Sequence, residues 1–159
     1  MGFGEAIATC FRKYFTFSGR AVRSEYWWFY LFTIIGSIVS TIMDYAVFGG
    51  QASEFAPINS LFSLAVFFPT IAAASRRLHD TNCSGWWQLI PLAPLPLLLL
   101  IVPGLMSGDG GSMMGVIIGL VVVAVLVLVI MLIVRLATIG TEGSNKYGDD
   151  PLGSFEIFD

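Results

Sequence analysis

Four stretches of at least 18 residues, Tyr26–Met43, Phe55–Ser75, Gly85–Gly108 and Met113–Val134, contain no Asp, Glu, Lys, Arg or His. Nothing else in the chain restricts its fold as severely. A helix of about 20 apolar residues crosses roughly 30 Å of hydrocarbon while satisfying its own backbone hydrogen bonds. The stretches therefore predict four transmembrane helices, over about 25–47, 58–78, 85–106 and 113–135. A membrane β-barrel would instead alternate apolar and polar side chains in short segments, and that pattern is absent. Composition agrees: 56% of the 159 residues are hydrophobic and 12% charged, with a mean hydropathy of +0.81, outside the range of soluble domains.

The cations sort around these stretches. Arg12, Lys13, Arg20 and Arg23 precede the first, Arg76 and Arg77 separate the second from the third, and Arg135 and Lys146 follow the fourth. Short loops rich in Lys and Arg stay in the cytoplasm. Both termini are expected there, with outer loops near 44–57 and 107–112. Asp44, Glu54 and Asp109 fall in the outer loops, and the other eight acids share the inner face with the eight cations. The formal net charge of −3 thus belongs to the outer loops, and no net basic patch points to a nucleic-acid partner. The predicted architecture is an all-α membrane protein: an interfacial amphipathic segment 1–17, a four-helix transmembrane domain 18–139 and a cytoplasmic tail 140–159.

Within residues 2–16, Phe3, Ile7, Cys10, Phe11 and Tyr14 share one helical face opposite Glu5, Arg12 and Lys13, which predicts a short helix on the inner leaflet. Pro69 lies inside the second span, where it removes a backbone donor and bends the helix unless a neighbour bonds the freed carbonyl. Pro91, Pro94, Pro96 and Pro103 exclude a straight third helix. Gly36 with Ser40, and Gly115 with Gly119, have the spacing that lets helices approach closely.

Three polar patches, 20–25, 76–87 and 140–151, all return to the inner face. If the second helix continues through His79, Arg76 lies one turn from His79 and Asp80, and Arg77 one turn from Asp80. Glu25 stands deep enough in the first span to need a cationic partner. Glu25 and Asp80 are therefore the candidate structural ion-pair residues. The candidate lipid- or partner-contact residues are Arg20, Arg23, Arg76, Arg77, His79, Trp86, Trp87, Asn145 and Lys146. Arginines left over from pairing suit a phosphate, which the guanidinium fork binds through two hydrogen bonds.

No zinc, metalloprotease or nucleotide-loop signature is present, and no nucleophile elbow. No metal and no cofactor are expected. Cys10 and Cys83 both fall at the reducing face, so no disulfide is expected either.

The run Phe17-Ser18-Gly19-Arg20-x-x-Arg23-x-Glu25-Tyr26-Trp27, then Arg76-Arg77-Leu78-His79-Asp80 with Ser84-Gly85-Trp86-Trp87, then Gly143-x-Asn145-Lys146-Tyr147-Gly148-x-Asp150-Pro151, resembles the bacterial inner-membrane family called domain of unknown function 805. The likeness extends from about residue 12 to 151. It implies a small multi-span protein of a bacterial inner membrane and supplies no activity. The expected function is non-enzymatic: a cytoplasmic Arg/His/Asp/Trp face that binds an anionic phospholipid headgroup or another membrane protein. The alternatives are a small transporter or channel for a lipid-like or neutral solute, and a membrane enzyme using His79 and Asp80. Homo-oligomerisation stays open.

Overall fold

A computed structural model describes residues 1–49, 56–94, 96–97 and 111–153, and of 111–114 the backbone alone. Among these residues the regular elements are helices: α1 (Phe3–Arg12), α2 (Arg23–Phe48), α3 (Pro57–Asp80), a 3-10 helix (Gly85–Leu92) and α4 (Gly111–Ala137). α2, α3 and the Gly115–Ala137 part of α4 are long and apolar enough to cross a membrane. The expected span 85–106 opens as the 3-10 helix, with Pro91 inside it. Each proline removes a donor and turns the preceding residue away from the α region, and Pro94 and Pro96 follow within five residues of Pro91. The rest of that span lies largely outside the described residues. α4 begins at Gly111, so the end of the expected outer loop 107–112 is already helical.

The chain forms two compact units, one from Met1–Gly85 with the segment from Ile139 onward, the other from Trp86–Thr138. In the first unit α2 and α3 make an antiparallel hairpin clasped at both ends. At the far end Asp44, expected in an outer loop, is buried inside α2. Its two carboxylate oxygens accept from the backbone N–H of Ile58 (2.9 Å) and Asn59 (2.8 Å). These are among the donors left unpaired at a helix start, and a negative charge there also meets the positive end of the helix dipole. Midway, a Cβ at Gly36 would sit 2.1 Å from the Phe62 ring. A side chain there would make the Phe62 ring shift, so the small residue serves packing against α3 within the unit.

α1 packs against the same hairpin. Ala6 and Cys10, one turn apart, are fully buried. Phe3 meets Trp28 and Phe11 meets Phe29, both edge-on. The helix ends at Arg12, short of the expected residue 16, and this frees Tyr14 to reach α3. There its hydroxyl donates to the Ala65 carbonyl at 2.8 Å.

In the second unit Arg135 lies over the Trp87 ring, with its guanidinium carbon 5.8 Å from the centroid. Gly115 and Gly119 have open space where a Cβ would stand.

Candidate functional site

At the near end of the hairpin, α2 begins and α3 stops. α3 ends in a Schellman motif: Cys83 N–H donates to Leu78 O (2.9 Å) and Asn82 N–H to His79 O (3.0 Å). Asn82 occupies the left-handed position at φ 58°, where asparagine is the common substitute for glycine.

Residues 17–22 cross over this helix end. Ala21 N–H donates to Arg76 O at 3.1 Å, and Gly19 takes a positive φ of 86° to make the turn. Adjacent residues of a helix point about 100° apart, so Arg76 and Arg77 reach different partners. Arg76 donates from Nη2 to Glu25 Oε1 (2.8 Å) and from Nη1 to Thr16 O (3.0 Å). Arg77 donates to Asp80 Oδ2 and Arg20 Nε to Asp80 Oδ1 (2.9 Å). The Arg20, Arg76 and Arg77 side chains are at most 1% exposed.

The C-terminal segment closes this cluster. Arg20 donates from Nη1 to Gly143 O and from Nη2 to Thr141 O, both at 2.5 Å. Thr141 bonds the Asp80 carbonyl through its N–H (2.8 Å) and its hydroxyl (3.1 Å). Gly140 leaves room for the Asp80 carboxylate, because a Cβ there would lie 2.1 Å from Oδ2. Asn145 donates from Nδ2 to His79 O (3.0 Å) and to Thr141 Oγ1 (2.9 Å). Tyr147 stacks on the His79 ring at 3.9 Å, nearly parallel.

Three buried guanidinium groups thus meet two buried carboxylates. A further anion, Asp150, lies 4.0 Å from Arg20 Nη2 and is partly exposed. Backbone N–H groups of Leu152 and Gly143 bond its carboxyl and hold it below its ordinary value. A recess of about 190 Å³ opens here, lined among others by Arg20, Arg23, Arg77, Asp80, Glu142 and Asp150. Arg23 is its exposed cation.

Of the sequence-derived candidates, Arg20, Arg76, Arg77, Glu25 and Asp80 are therefore inside the cluster. Arg23 stands on its rim. His79 and Asn145 are half-buried and tie α3 to the tail, while Lys146 is exposed over the Tyr147 ring (4.9 Å). Trp86, largely exposed, and Trp87 belong to the second unit. His79 Nδ1 faces the Gly19 carbonyl at 3.1 Å, whereas both Asp80 oxygens are taken by arginines. The adjacent pair is turned to different partners. Among the described residues no group of His, Cys, Asp and Glu is placed to hold a metal ion. Cys10, beneath Arg76 and Glu25, has its thiol pushed up to about 12 by burial and then by Glu25. The carbonyls of Thr16, Thr141 and Gly143 are the contacts that residue type could not reveal, since every residue carries one.

The family described as "Protein of unknown function (DUF805)" matches residues 14–149. Inner membrane protein YhaI of Escherichia coli (strain K12) is 36% identical over 144 residues, 88% of this chain and 89% of the relative. Inner membrane protein YhaH of the same strain is 37% identical over 102 residues, 64% of this chain and 84% of the relative. The uncharacterized protein YiiR is 30% identical over 145 residues, 86% of each. No solved structure matches.

Proposed function

The chain belongs to the DUF805 family of unknown function and is an integral inner-membrane protein, and on that premise we propose that it is non-catalytic, multi-pass, with both termini in the cytoplasm, and binds the phosphate of an anionic lipid headgroup at its cytoplasmic face. The observation that carries this reading is the recess in which the exposed Arg23 stands beside Arg20 and Arg77, with Asp80, Glu142 and Asp150 also in its lining. A phosphate that accepts from the exposed Arg23 guanidinium would gain a charge-assisted hydrogen bond. The Lys and Arg gathered near this end of the hairpin support an inner-leaflet location for it under the positive-inside rule, and anionic headgroups lie there.

Arg76 and Arg77 do not test the proposal, because truncating either leaves a buried carboxylate short of its partner. Arg23 does, being exposed. Wild type and Arg23→Ala are purified from membranes in mild detergent and their co-purifying lipids quantified. Enrichment of phosphatidylglycerol or cardiolipin over the bulk membrane is expected for wild type, with loss of that enrichment in Arg23→Ala at equal accumulation. Equal lipid profiles for the two proteins reject the proposal. Reporter fusions at each end test the topology, and activity of a periplasmic reporter at either terminus rejects it.

A further inference from the structure

The α2–α3 hairpin has a level at which charge stops and apolar surface begins. Asp44 ties α2 to Ile58 and Asn59 of α3. Counted from that clasp, Trp28 lies sixteen residues back along α2, and Ser75 lies sixteen residues beyond Asn59 along α3. At 1.5 Å per residue both stand about 24 Å from the clasp. Arg23 and Glu25 precede Trp28, and Arg76, Arg77 and Asp80 follow Ser75. From Trp28 onward the one ionisable acid or base of α2 is the buried Asp44, and α3 has none before Arg76. The length of α2 from Trp28 to Phe48 is about 30 Å, the thickness of the hydrocarbon. One edge of the hydrocarbon therefore passes near Trp28 and Ser75, at the depth indole rings prefer.

α1 lies against the hairpin just inside this edge. Phe3 meets Trp28, and Phe11 meets Phe29 and Phe32. Phe15, after the helix, meets Phe68, which is seven residues, or about 10 Å, inside Ser75. The circumference of α1 is sorted to match. Ala6 and Cys10 are buried on the hairpin, which leaves Ile7 and Phe11 on one flank and Thr9 and Lys13 on the other. The apolar flank is the one turned toward Phe32, deeper in the span. On the other side the Lys13 carbonyl accepts from Arg76 Nη1 at 3.3 Å, beyond the edge. Phe11 and Arg12 are exposed, and Phe15 is 65% exposed.

We infer that α1 is an in-plane anchor whose partner is the lipid surface itself, with Phe11 and Phe15 entering the acyl region and Arg12 and Lys13 at the phosphates of the same leaflet. A depth of about 5–10 Å is the one at which amphipathic interfacial helices lie. From there a long basic side chain reaches the headgroups along its methylene stem. Water is the poorer occupant, because it would face the rings of Phe15 and Phe68, which touch each other and are both exposed. The half-exposed Ile35, Ile38 and Val39 of α2 continue the apolar surface into the span. The anchor takes only its leaflet, the inner one, from the topology proposed above, and it needs no phosphate at Arg23.

The test uses the full chain in vesicles of phosphatidylethanolamine and phosphatidylglycerol. Nitroxide labels are attached singly to Phe15→Cys, Val39→Cys and Glu142→Cys in a Cys10→Ala, Cys83→Ala background. Their collisions with oxygen, which concentrates among acyl chains, are compared with those with a water-soluble nickel chelate. Val39 is eleven residues beyond Trp28, about 16 Å inside the edge, and Glu142 is exposed in the tail. The label at Phe15→Cys is expected between these two references, about 5–10 Å inside the phosphates. The unmodified protein gives a second measurement. A carbene photolabel dissolved in the bilayer is expected to modify Phe11 and Phe15 and to spare residues 141–149.

If the label at Phe15→Cys responds as the one at Glu142→Cys does, or the photolabel spares Phe11 and Phe15, α1 lies in water and the anchor is overturned. A label at Phe15→Cys as deep as the one at Val39→Cys overturns it too, since the segment would then penetrate the bilayer instead of lying in its surface. Interfacial depth together with an active periplasmic reporter at the N-terminus keeps the anchor and rejects the proposed topology. The phosphate reading stands or falls separately, on the lipids that co-purify with Arg23→Ala.

Discussion

The hydroxyl of Tyr14 donates at 2.8 Å to the carbonyl of Ala65, the group four residues before Pro69 that the proline leaves without an intrahelical donor. The freed acceptor of α3 is thus satisfied from the segment after α1. In an apolar surrounding an unpaired carbonyl is unfavourable by about 1–3 kcal/mol. Tyr14→Phe is expected to destabilise the protein by that amount, read from a denaturant titration in detergent. Pro69→Ala restores the donor, so the loss caused by Tyr14→Phe should largely vanish in that background. Equal losses in the two backgrounds would show that the bond does not serve the proline.

Glu25 and Arg76 form an ion pair with both side chains at most 4% exposed. Removing one member of such a pair strands the other, typically at about 3–5 kcal/mol, whereas replacing both by apolar residues is far milder. Glu25→Leu and Arg76→Leu are each expected to reduce accumulation sharply. The double variant should be more stable than either, and strict additivity of the two losses would contradict this account.

Burial beneath Glu25 and Arg76 keeps the Cys10 thiol protonated well above neutral pH, at about 12. Maleimide reacts with thiolate. In a Cys83→Ala background, labelling at pH 8 should be at least about tenfold slower in the folded protein than after denaturation. Equal rates would place Cys10 in contact with solvent.

The carboxyl of Asp150 is held below its ordinary 3.8, first by the Leu152 N–H and then by the Gly143 N–H. A depressed acid contributes stability that is present above the unfolded value and lost as the pH falls through the folded one. The protection factors of amides in residues 141–153, taken relative to the intrinsic exchange rate at each pH, should therefore fall on acidification below pH 4. Asp150→Asn should exchange faster at neutral pH and lack the acid step. A pH-independent pattern shared by both proteins would exclude Asp150 as the titrating group.

Helical class and membrane character were legible in the uncharged stretches, and the family in the three polar motifs. Much of the rest lay in groups that sequence does not mark. Arg20 is held mainly by backbone carbonyls of Thr141 and Gly143, which no residue type announces. Asp44 resembles a loop acid until the hairpin brings the start of α3 to it. Gly140 resembles a turn residue, yet its missing side chain makes space for Asp80. The stretch expected as a third span shows the reverse: its prolines predicted an irregular helix, and Gly85–Leu92, with Pro91 inside it, is a 3-10 helix.

The enclosure of Arg20 also sets an order of events during biosynthesis. Its acceptors at Thr141 and Gly143 lie 121 and 123 residues downstream, so the ribosome releases this arginine long before the groups that enclose it exist. Until residues 141–143 emerge, its partner among these groups is Asp80, itself 60 residues away. The near end of the hairpin therefore matures last, after the α2–α3 contacts and the Asp44 clasp are available. A chain stopped before Gly140 would lack the Thr141 and Gly143 carbonyls that enclose Arg20 and the Thr141 bonds to the Asp80 carbonyl.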